Sequence, residues 1–235
     1  MHLSVPIYRL KREARLLARE RNIALHKALD TIAQQQGYAS WSLLAARHAV
    51  AAPQMPLLSG LRSGGMVLMG GRRGHGKTMI ALDLLAQACE AGRRTWFFSL
   101  DFNERDIDAC IRELGHTAAQ KDMMFDTSDD ISAAYIMDRL GGEAEGALVV
   151  VDYLQILDQQ RHKPPLNEQV AALSEFAART GIIFIFLSQI DRRFDLTGRH
   201  LPQAGDVRLP NPLDLKLFSD TWFVNEGVLL PGAAA

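Results

Sequence analysis

The chain has 235 residues, 48% of them apolar, with 26 Lys and Arg against 27 Asp and Glu. A chain of this length buries one sizeable core and leaves room for a small appendage. No apolar run reaches the ~18 residues of a membrane span, and the amino terminus is charged with a helical pattern. Membrane-spanning and signal-bearing classes are thereby excluded, and the expectation is a cytoplasmic protein with no membrane partner.

The near balance of charge hides an asymmetry. Residues 1–53 carry 8 Lys and Arg against 3 Asp and Glu, which leaves 18 against 24 for the remainder. The two cysteines, Cys89 and Cys110, fall in helix-like stretches without metal-ligand spacing. They read as buried free thiols, with neither a disulfide nor a zinc site implied.

From the amino terminus, apolar residues recur from Leu10 and Ala14 through Ile32 and Ala33 with a helical period, which Gly37 ends as the residue beyond the cap. A shorter helix capped by Ser40 carries Trp41, Leu43 and Leu44. Together they predict a small basic helical module over residues 1–52. Its other face presents Arg9, Lys11, Arg12, Arg15, Arg19 and Arg21, open to solvent, nucleic acid or a protein partner. Ala49 to Met55, followed by Pro56, reads as a linker into a second unit spanning residues 57–230.

There, strands and helices alternate. Runs at Met66 to Met69, Thr95 to Ser99, Ala147 to Val151 and Ile182 to Leu187 predict strands, and Asp220 to Val224 predicts an edge strand. Between them Thr78 to Glu90, Glu104 to Leu114, Ile131 to Leu140 and Asn167 to Thr180 predict helices. Strands with no polar alternation are buried on both faces, so the fold class is α/β with a mostly parallel central sheet.

The chemistry starts after the first strand. Gly71-Arg72-Arg73-Gly74-His75-Gly76-Lys77-Thr78 satisfies the G-x-x-x-x-G-K-[ST] pattern between a strand and a helix. Glycines let backbone N–H groups curl around phosphate oxygens while the helix amino terminus adds partial positive charge. Lys77 is then the ligand of the β and γ phosphates of a nucleoside triphosphate, and Thr78 places its hydroxyl on Mg²⁺. Arg72 and Arg73 stand ready to neutralise phosphate charge from within the loop. The run Leu148 to Val151 ends in Asp152, a carboxylate delivered beside that loop to serve the metal. Asp101, beyond the strand Thr95 to Ser99, has two roles open to it: base for the attacking water, or cap of the following helix. Gln189 ends the strand that starts at Ile182, either as a γ-phosphate sensor or as a turn former.

These segments resemble the carboxyl-terminal motor domain of DnaB-type replicative helicases, a RecA-like P-loop ATPase, over residues 57–225. The resemblance rests on Gly60-Leu-Arg-Ser-Gly-Gly leading into the loop, Ser99-Leu-Asp-Phe102, Val151-Asp-Tyr-Leu-Gln-Ile156, Leu187-Ser-Gln-Ile-Asp-Arg192 and Gly205-Asp-Val-Arg208, in that order. It implies ATP and Mg²⁺ as ligands, a homohexamer, and hydrolysis coupled to single-stranded DNA. By position it makes Asp152 the metal-site acid, Gln189 the coupling residue and Asp101 the counterpart of a catalytic Glu, one methylene shorter. Arg208 falls in the segment leading to the DNA-facing loop, while Leu209-Pro-Asn-Pro-Leu-Asp departs from the family's glycine-containing loop. The family's terminal strand pair donates a Lys and an Arg to the neighbouring subunit, whereas residues 224–235 carry neither. Arg192, Arg193 and Arg199 are the open substitutes. A slow nucleotide-dependent switch or assembly ATPase is the alternative to a helicase.

Overall fold

The computed structural model describes residues 7–45, 57–116, 122–158, 163–197, 199, 202–209, 211–225 and 228–231. Its sheet contains β1 (Met66–Gly71), β2 (Thr95–Ser99), β3 (Met123–Asp126), β4 (Leu148–Asp152), β5 (Ile183–Gln189), β6 (Asp220–Asn225) and β7 (Val228–Pro231). They lie in the order β3-β2-β4-β5-β1-β6-β7, parallel throughout except for the β6–β7 pair.

The continuous apolar runs follow from burial on both faces. Alternate residues of one strand serve opposite layers. Leu68, Phe98, Val151 and Phe186 enter the core under the helices α5 (Ala133–Leu140) and α6 (Leu166–Thr180). Met69, Phe97, Val150 and Leu187 enter the core under α3 (Lys77–Glu90) and α4 (Glu104–Leu114). The result is a three-layer α/β/α sandwich with the RecA-like arrangement. Helix α3 is apolar nearly all round, and Met79, Ile80, Leu82, Leu84 and Leu85 on it are all buried.

Two sequence expectations need correction. The amino-terminal period is divided into α1 (Ile7–Glu20) and α2 (Leu25–Gln35). Asn22 adopts φ +49°, and Ile23 N–H reaches back to the Ala18 carbonyl at 3.1 Å, the bond that closes a left-handed helix terminus. Hydrophobic spacing survives such a break, so periodicity alone did not reveal it. Gly37 at φ +83° ends α2 as expected, and Ser40 Oγ accepts from Leu43 N–H at 3.2 Å. The second correction concerns Asp220 to Val224. That strand forms, but it is interior, because β7 pairs outside it. The expected linker at 49–55 lies outside the described residues.

The amino-terminal helices bury their own cluster, including Leu10, Ile32, Trp41 and Leu44. Leu43 instead joins the core beneath α3, and Tyr38 packs against both clusters. The module is therefore seated on the α3 side of the sheet. Cys89 and Cys110 are half-buried thiols that form no disulfide, and burial raises both, Cys110 to about 11. Among the described residues no helix is long and apolar enough to cross a membrane.

Phe186 sits at the centre of the sheet, fully buried, stacked on Phe184 and edge-on to Phe218. Phe186→Ala is expected to cost about 3–5 kcal/mol of folding free energy. Urea denaturation checks it, and a loss below about 1 kcal/mol would contradict the packing described.

Candidate functional site

The parallel register brings the carboxyl ends of β4, β2, β5 and β1 to one edge. Asp152 is paired with Leu187 of β5 and Ser99 of β2, while Gly71 of β1 is paired with Gln189. In a parallel sheet of this type, that edge is where ligands bind.

The loop leaving β1 is glycine-rich for steric reasons. A Cβ on Gly71 would lie 2.8 Å from the Val224 carbonyl oxygen and 3.0 Å from Lys77 Cδ, so β6 and the lysine stem leave no room for a side chain. Gly74 and Gly76 turn through φ +75° and +85°, which L side chains rarely adopt. Helix α3 then begins at Lys77. The Lys77 ammonium donates to the carbonyls of Gly71 at 2.7 Å and Arg72 at 3.0 Å, folding back over the loop's entrance.

Thr78 Oγ1 donates to Asp152 Oδ2 at 2.8 Å, joining the first turn of α3 to the end of β4. Asp152 is 6% exposed. Burial pushes its carboxyl up to about 6, offset by the Thr78 bond and the Lys77 charge, with Asp101 pushing the same way as burial. Burial also lowers Lys77 to about 8, against the opposing pull of Asp152. Thr78 and Asp152 thus offer two hard oxygen donors, one a carboxylate poor in compensating charge. That set suits Mg²⁺, which takes one or two carboxylates with phosphate oxygens and water. Among the described residues no cluster of three or more His, Cys, Asp or Glu could hold a metal by itself.

Asp101 follows β2 and is exposed, with its own N–H donating to Ser99 Oγ at 3.2 Å. The helix-cap alternative falls away. Asn103 caps α4, accepting from Asp106 N–H, and Asp106 returns the bond. Asp101 is left as a solvent-facing carboxylate whose charge is felt at Asp152.

Gln189 is half-buried and lines a cleft of about 710 Å³ with Arg72, Arg73, Asp191, Arg192 and Arg208. The Arg72 guanidinium lies over the Phe194 ring, 5.1 Å from its centroid. The Gln189 carbonyl accepts from Arg208 N–H at 2.7 Å, beside an isolated bridge between Ile190 and Val207. Four arginines therefore line the cleft at the end of β5.

Three residues gained roles that sequence reasoning had not given them. Gln155 Nε2 donates to Ser188 Oγ at 3.0 Å and to the Arg208 carbonyl, linking the segment after β4 to β5 and the arginine cleft. Its place in Asp-Tyr-Leu-Gln was the available signal. Lys11, assigned above to an open basic face, is 8% exposed and approaches His75 Nε2 at 3.1 Å. Arg15, Arg19 and Arg21 do remain exposed. His75 is 7% exposed, and its imidazole is held down to about 3 by burial and by Lys11, Lys77, Arg72 and Arg15. Its side chain faces α1, a placement no loop motif specifies.

Comparison with solved structures supports the fold. A DnaB-like replicative helicase studied with its primase interactions matches at 15% identity and TM-score 0.60, over 92% of this chain and 65% of that one. Another solved ATPase domain matches at 15% identity and TM-score 0.57, over 77% and 81%. A KaiC-like protein of Pyrococcus horikoshii OT3 matches at 18% identity and TM-score 0.50, over 70% and 72%. No protein-family model and no curated protein matches the chain. At these identities the likeness shows a shared fold, an α/β sandwich of the RecA-like type, and nothing finer.

The two shifted groups have opposite linkage. Asp152, raised from 3.8 to about 6, contributes stability present below its unfolded value and lost as pH rises through 6. His75, lowered from 6.5 to about 3, contributes stability present above its unfolded value and lost as pH falls through 3. Their slopes oppose each other between pH 4 and 6. Asp152→Asn removes one of them, so folding stability in that variant should climb more steeply with pH across this window. Urea midpoints at pH 4, 5 and 6 measure it, and parallel curves for the two proteins would contradict the buried, raised carboxyl.

Proposed function

We propose that the chain binds ATP with Mg²⁺ at the phosphate loop and hydrolyses it, coupling turnover to single-stranded DNA binding or translocation as a homohexameric, helicase-like motor in the cytoplasm. The observation that carries the nucleotide reading is the 2.8 Å bond between Thr78 and Asp152 at the start of α3, beside Lys77. A metal-site hydroxyl and carboxylate meet where a helix amino terminus points at the ligand. The loop of Gly71, Arg72, Arg73, Gly74, His75 and Gly76 would wrap the phosphates through backbone N–H groups. Lys77 would exchange its carbonyl partners for phosphate oxygens, relieving the burial that now depresses it. Mg²⁺ would be held by Thr78 and Asp152 and would neutralise charge on the phosphates. Asp101 is the base or water-orienting group, and Gln189 the sensor at the mouth of the cleft.

The DNA reading draws on the arginine cleft, since Arg72, Arg73, Arg192 and Arg208 offer positive charge to a phosphate backbone. The match to a replicative helicase supports it as likeness of fold. A second reading, a slow nucleotide-dependent switch or assembly ATPase, is favoured by Asp101. That side chain is exposed, and it is one methylene shorter than the family's glutamate.

Lys77→Ala should abolish ATP binding and turnover while the thermal midpoint stays within a few degrees of the parent. ATP hydrolysis retained in a contaminant-free preparation would end the assignment. The motor reading makes its own demand: single-stranded DNA should stimulate hydrolysis, and Arg208→Ala should reduce the salt slope of DNA binding by about one unit. An ATPase rate indifferent to DNA would transfer the weight to the switch reading.

A further inference from the structure

The contact between α1 and the phosphate loop joins two parts of the chain to which no common role has been given. Lys11 and His75 are each more than nine-tenths buried, with Nζ and Nε2 3.1 Å apart. An ammonium can only donate, so Nε2 must accept and the imidazole must be neutral. The ring lies between the turning glycines Gly74 and Gly76, so whatever moves the loop moves the docking point of α1. One helical turn on, Arg15 adds its charge from the same face. The ring feels positive charge from Lys11, Arg15, Arg72 and Lys77, drawn from both the module and the loop.

A polyanion held by the same loop attracts these nearby positive charges, and that attraction draws the module and the loop together. We propose that the amino-terminal helical module is a nucleotide-sensing clamp, docked on the phosphate loop through Lys11 and His75 and held more tightly when polyphosphate is bound. Reciprocity then requires the docked module to strengthen nucleotide binding by the same factor. This inference rests on ATP binding at the phosphate loop. It gives the basic module a purpose other than contact with DNA, and it lets anything that captures the module release nucleotide.

Hydrogen exchange on the full chain, with and without the Mg²⁺ complex of the β,γ-imido analogue of ATP, tests it. Amides of residues 71–78 and of α1 should both slow when the analogue is present. Lys11→Met, which keeps the stem and removes the charge, should lose the α1 response and bind the analogue about tenfold more weakly. At saturating analogue the same variant should still protect residues 71–78. Lys11→Arg keeps donor and charge and should keep the α1 response. Protection of 71–78 with α1 unchanged, or exchanging faster, would overturn the clamp and leave the nucleotide site standing. No protection of 71–78 in the parent chain would remove the nucleotide reading itself, and the clamp with it.

Discussion

The buried carboxylate of Asp152 is the constraint around which the rest of the site is arranged. A carboxylate removed from water costs several kcal/mol unless charge or hydrogen bonds compensate it. Here the Thr78 hydroxyl supplies one bond and the nearby Lys77 ammonium supplies partial compensation. The ammonium is itself held by the carbonyls of Gly71 and Arg72. Asp101 adds negative charge instead of relieving it. Apolar strands β4 and β5 fix the carboxylate in place despite this, because their side chains are locked into two cores at once. Such a site is less stable empty than filled. It is the kind of local conflict that persists where function requires it.

The same register that exposes Asp152 to the loop also places its consequences within reach of the arginine cleft. Three residues beyond Asp152, Gln155 donates to Ser188 on β5 and to the Arg208 carbonyl. Gln189, next to Ser188, is paired with Gly71 at the start of the phosphate loop. The loop, Asp152 and Arg208 are therefore joined by a short series of contacts.

Much of this was legible before any coordinates. The four central strands were readable because both faces are covered, which leaves unbroken apolar runs such as Leu148 to Val151. The loop was readable because its glycines answer to backbone requirements that no other residue meets. Strand β3 was not, since Met123–Asp126 is four residues long and only half-buried in pattern. The break at Asn22 was hidden because hydrophobic spacing continued across it. The choice between two roles for Asp101 turned on a neighbour, Asn103, whose capping bond with Asp106 took one role away. Lys11 was the largest miss. On a helix of many cations, nothing local distinguishes the one that faces a protein surface.

That miss bears on how the module's charge should be understood. Exposed cations such as Arg19 and Arg21 cost little where they are, and solvent suffices to explain them. A lysine buried against a histidine does not have that explanation, because both groups are removed from solvent there. Packing alone would have been served by an aliphatic residue, as Leu10 and Ala14 serve it on the same helix. The module thus places a buried cation against a loop residue 64 positions away in the chain.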